Sequence, residues 1–82
     1  MKIISAPIEM IAKFKPDGSV APARFAFNGK VIDVEQIVSV TEEKLAGNRM
    51  KLFTCQSEID GELKKFELKY ELQTMKWMLW KM

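Results

Sequence analysis

Asp60-Gly61-Glu62-Leu63-Lys64-Lys65-Phe66-Glu67-Leu68-Lys69-Tyr70-Glu71-Leu72 is the stretch that decides the fold. Asp-Gly favours a tight hairpin, because both central residues of a type I′ turn need φ above zero. Phe66, Leu68, Tyr70 and Leu72 then alternate with Glu67, Lys69 and Glu71, which sends one face to a core and the other to solvent. Two further signals, Pro16-Asp17-Gly18 and Asn28-Gly29, punctuate similar stretches. In Pro-Asp-Gly the proline presets φ and the glycine takes the left-handed position at no steric cost. Local turns between alternating segments give the class: all-β, antiparallel, connected hairpin by hairpin.

Working toward the N-terminus, Ile8, Met10, Ala12 and Phe14 alternate with Glu9, Ile11, Lys13 and Lys15 as a first strand. Pro22 opens a short strand, Arg24-Phe25-Ala26-Phe27, with both rings on one face; proline suits a strand start or a sheet edge. From Lys30 to Thr41, Ile32, Val34, Val38 and Val40 share one parity, broken at Gln36 and Ile37. That break predicts a bulge or a change of face near residue 36. A helix competes there, since Val34, Ile37, Val38 and Leu45 also fit i, i+3, i+4 spacing; the valine and isoleucine density favours a strand. In Thr41-Glu42-Glu43-Lys44-Leu45-Ala46-Gly47-Asn48 a capping threonine, two early glutamates and a late glycine predict one helical turn inside a long connection.

Met50 to Ile59 follows as a strand whose parity shifts between Leu52 and Phe53, predicting another bulge. Gln73 to Lys76 is a short connection, and Trp77 to Met82 closes the chain. No repeat or linker divides residues 1–82, so a single small domain is expected. The expectation is five or six strands in a meander, curled by twist into a small, SH3-like, partly open barrel.

Composition narrows the function classes. At 48% hydrophobic and 29% charged the chain is ordinary globular material. No apolar run approaches the ~18 residues of a membrane span, and Met1 to Ala6 is too short for the apolar part of a signal peptide. A cytoplasmic protein without a membrane partner is expected. There is no histidine and one cysteine, Cys55. Cys55 has neither a second thiol for a disulfide or zinc site nor a histidine to activate it, and reads as a small buried apolar residue. No nucleophile motif, phosphate loop or dinucleotide fingerprint is present. No catalytic residue, metal ligand or cofactor is assigned, and no enzyme activity is expected. Glu58, Asp60 and Glu62 flank a hairpin and could chelate a hard cation, but turn chemistry and solubility explain them more simply.

Two constellations remain. The C-terminal strand is apolar on both sides, with Trp77 and Leu79 on one face and Met78, Trp80 and Met82 on the other. A central strand would bury both faces; an edge strand would leave Met78, Trp80 and Met82 as an interface for a second copy or a partner protein. The alternative is a nucleic-acid contact surface of Arg24, Lys30, Arg49 and Lys51 around Phe25 and Phe27, on the pattern of cationic grooves with stacking platforms. Against it, net charge is only +2 and two of thirteen cations are arginine. Rings on one parity of a strand are also more often core than platform.

Ile11-Ala12-Lys13-Phe14 with Asp17-Gly18, Pro22-Ala23-Arg24-Phe25, Lys44 to Asn48, Cys55-Gln56-Ser57-Glu58, and Tyr70-Glu71-Leu72 with Trp77 together resemble a group of small bacterial proteins, mainly from Firmicutes, of uncharacterised role. More distantly, Pro22-x-Arg24-Phe25-x-Phe27-x-Gly29 with Lys76-Trp77-x-Leu79 is similar to a β-domain appended to some translesion DNA polymerases. That domain usually has more arginines and an aromatic residue after the hairpin glycine, where this chain has Lys30-Val31-Ile32. The resemblance implies the β fold and proximity to nucleic acid, and names no binding residue.

Overall fold

The computed structural model describes residues 1–82 as seven β-strands and no helix. These are β1 (Ile3–Phe14), β2 (Val20–Phe27), β3 (Lys30–Asp33), β4 (Gln36–Leu45), β5 (Asn48–Ile59), β6 (Glu62–Glu71) and β7 (Lys76–Lys81). Every pairing is antiparallel, in one sheet of order β3-β2-β1-β7-β6-β5-β4. Two meanders, β1 to β3 and β4 to β7, are joined where the last strand pairs with the first. The C-terminal strand is therefore central, not an edge.

The count is seven because the stretch from Lys30 breaks at Val34-Glu35, and the bulge expected near residue 36 falls just beyond the break, between Ile37 and Ser39 of β4. That break shapes the molecule. β3 and β4 stand at opposite ends of the sheet order, yet only two residues separate them in the chain. Flat, the outer strands would lie about 29 Å apart, while the connection can reach only about 11 Å. The sheet must curl until its two ends meet at this corner, and it forms a half-barrel with a concave core.

The core is Val20, Phe25, Ile32, Phe53, Cys55, Phe66, Leu68, Tyr70, Trp77 and Leu79. Phe25 packs on Phe66 with ring centroids 5.4 Å apart, joining strands that β1 and β7 separate in the sheet. Trp77 stacks between Tyr70 and Phe53, at 4.8 and 5.4 Å.

Thr41 to Asn48 holds no helical turn. Residues through Leu45 continue β4, and Leu45 pairs with Asn48 around a two-residue hairpin of Ala46 and Gly47. Both have positive φ, 51° and 84°. An alanine in the left-handed region costs about 1 kcal/mol, so Ala46→Asn is expected to stabilise the fold by roughly 0.5 kcal/mol or more, seen as a higher denaturant midpoint. An unchanged or lower midpoint counts against the turn. The bulge expected on β5 is also absent: β5 pairs without interruption along β6, with Phe53, Cys55 and Ser57 inward and Leu52 outward. The irregularity sits across the ladder, where Val38 is the extra residue between Ile37 and Ser39 of β4.

Candidate functional site: the open sheet edge

At the corner between β3 and β4 the curl is fastened by side chains. Ser57, 1% exposed, donates from Oγ to the Asp33 carbonyl at 2.6 Å and accepts from the Glu35 N–H at 3.0 Å. Glu35 in turn accepts the Glu58 N–H at 2.6 Å, and the Val34 N–H reaches the Ala23 carbonyl at 2.9 Å. Lys30 pairs with Asp60 across the same seam and holds the Asp60 carboxyl below its ordinary value. Ser57 was not singled out from the sequence. Its signal was its parity, shared with Phe53 and Cys55.

Beyond the corner the barrel stays open. No Cα of β2 lies within 8 Å of a Cα of β4. β3 pairs only with Arg24 to Phe27 and Val34 reaches only Ala23, so Val20 to Pro22 have no strand neighbour on that side. β4 has β5 on one side and nothing on the other. Nine of its ten residues are exposed, with Val38 at 51% and Val40 at 52%. A cavity of about 490 Å³ joins the two edges, running from Ala21, Pro22 and Ala23 past Val34 to Ile37, with Lys13 and Lys15 and the carboxylates of Asp33 and Glu35 around it. This edge was missed in the sequence because part of it read as a helical turn.

The C-terminal residues are placed differently from that edge. Trp77 and Leu79 are core. Glu67 pairs with Lys81 and Leu68 with Leu79, which makes Trp80 an extra residue on β7. The bulge separates the expected trio. Met82 packs against the core, whereas Met78 and Trp80 lie half-buried on the convex face. Lys69 stands over the Trp80 ring at 3.8 Å and is held by Glu43 at 3.1 Å, so the chain's own side chains cover much of that patch.

The four cations of the nucleic-acid constellation fall into two pairs, Arg24 and Lys30 on β2 and β3, Arg49 and Lys51 on β5. Arg24 binds Asp33 at 2.5 Å, Lys30 binds Asp60 and Arg49 binds Glu42. The Arg24 bond holds the Asp33 carboxyl low, and the Arg24 guanidinium high. Phe25 is 1% exposed and Phe27 packs against the core, so neither ring offers an open face for a base.

Burial pushes the Cys55 thiol up to about 12. An unreactive group follows, since the thiolate is the nucleophile. Iodoacetamide is expected to leave Cys55 unlabelled in the folded protein at neutral pH and to label it fully in denaturant. Rapid labelling of the folded protein would contradict its placement. No helix is present that could cross a membrane. Comparisons with protein-family models, curated proteins and solved structures find no match.

Proposed function

We propose that this chain is a non-catalytic interaction module of the cytoplasm that associates, through the free edge of β4, with a second copy or with a partner protein. One observation carries the reading. A ten-residue strand ends the sheet with no neighbour on its outer side and with Ile37, Val38 and Val40 at the surface. Backbone groups along such an edge form a ready template for another strand, and proteins usually shorten, cover or charge edges of this length. The Val38 bulge and Glu42, Glu43 and Lys44 blunt this one only in part.

Mass by light scattering over a concentration series, on the wild type and on Val40→Lys, tests the reading. A mass that rises above 9.5 kDa in the wild type, but not in the variant, identifies self-association through β4. A strict monomer in both assigns the edge to a partner protein. Equal self-association of both places the interface elsewhere and overturns the role of β4.

A further inference from the structure

We propose that the open end of the half-barrel binds a small apolar carboxylate, its hydrocarbon part among Phe14, Leu72 and Met75 and its anionic head at Lys51. The site is independent of the β4 edge. Along β5 it lies six residues from Ser57 and the corner, about 20 Å away.

The inward rows of three strands run past the covered core to form it. On β1 the row of Ile8, Met10 and Ala12 ends at Phe14, and on β6 the row of Phe66, Leu68 and Tyr70 continues to Leu72 just past the strand. β5 contributes Phe53 and then, two residues nearer its start, Lys51 opposite Tyr70. A cavity of about 240 Å³ opens among these residues, against the buried Val20 and Tyr70. It has the room of about eight waters, enough for a short hydrocarbon chain or one ring.

Phe14 and Met75 flank the opening, 68% and 70% exposed. Met75 sits at a φ of 60°, in the left-handed region that a long side chain seldom adopts. Its N–H donates to the Glu71 carbonyl at 2.8 Å, and the Thr74 hydroxyl donates to the Glu71 carboxylate, which pins the turn in that form. Backbone strain of this kind gathers at segments that hold ligands, and methionine adapts its shape to what it meets.

Lys51 sets the charge of the occupant. It is half-buried on the inward side, and alone among Arg24, Lys30, Arg49 and Lys51 it forms no ion pair. No carboxylate lines the opening. Glu42, across the ladder from Lys51, is bound by Arg49. Asp17, next to Gly18 at the rim, is taken by the Ser19 hydroxyl and N–H at 2.7 and 2.9 Å. The Tyr70 hydroxyl has no hydrogen-bond partner within the chain and adds a neutral donor to the same lining. A carboxylate gains a charge-assisted bond here, whereas a cationic head would meet the Lys51 ammonium.

Titration of the isotope-labelled full-length protein with octanoate, octanol and octylamine tests the site, read by amide chemical shifts. Octanoate is expected to give saturable shifts centred on Phe14 to Val20, Lys51 and Tyr70 to Met75. Octanol should reach the same residues at least about tenfold more weakly, and octylamine more weakly still. Lys51→Met keeps the apolar stem and should erase the advantage of octanoate over octanol, while Lys51→Arg should retain it. No saturable shift, shifts centred on another surface, equal affinity for octanoate and octanol, or an undiminished preference in Lys51→Met would each overturn the inference. If Lys51→Met does not fold, the three ligands compared on the wild type decide it alone.

Discussion

Replacing Phe66 with alanine is expected to cost about 3–5 kcal/mol. Its side chain is fully buried, and its ring meets Phe25 across the concave interior. That contact holds β2 against β6, and so holds the curl that brings the ends of the sheet together. A domain of 82 residues has about 4–12 kcal/mol of stability in all. The variant should therefore be largely unfolded at body temperature, or melt at least about 12 °C lower if the fold survives. Chemical denaturation monitored by tryptophan fluorescence measures the loss directly. Leu63→Ala, at an exposed position of the same strand, should stay within about 0.5 kcal/mol of the wild type. A Phe66→Ala loss below about 1 kcal/mol would show that the two rings do not meet in a shared core.

Ser57→Ala is the second large effect, and it acts on the corner. Removing Oγ leaves the Asp33 carbonyl and the Glu35 N–H without their partner. Each orphaned buried group costs about 1–3 kcal/mol, and both lie only partly buried, so a total near 2 kcal/mol is expected. The loss should be local as well as global. Amide exchange at Glu35 is expected to accelerate more than exchange in β6 or β7, because the corner opens while the centre of the sheet stays paired. Ser57→Thr retains the hydroxyl and should keep much of the protection. Unchanged stability together with unchanged Glu35 exchange would mean that the backbone connection alone holds the seam.

What could be read from the sequence follows how local each cause is. Asn28-Gly29 and Asp60-Gly61 announce their hairpins because asparagine, aspartate and glycine tolerate the positive φ seen at all four positions. The hairpin at Ala46-Gly47 went unread because alanine carries a φ of 51° there, a conformation that residue seldom adopts. With that turn unrecognised, the capping threonine and two glutamates of β4 looked like the start of a helix, and the free edge went with it. The apolar doubling of Trp77 to Met82 was legible, but its place between β1 and β6 depends on pairings between the two ends of the chain. The Trp80 bulge, which sends Met82 inward, is likewise set by register against β6 and leaves no mark in residue type. Ser57 reads as an ordinary polar residue until β3 arrives over it. The cations looked available because their partners, Asp33, Asp60 and Glu42, come to them only through strand pairing and the curl.

The central claim is that β4 is a free edge waiting for a strand. Residue-resolved amide hydrogen exchange in dilute monomer tests it most directly. In the monomer, β4 amides that face β5 should exchange slowly and the alternate ones quickly, while β6 and β7 are protected throughout. Uniform protection of β4 in the dilute monomer would contradict the account.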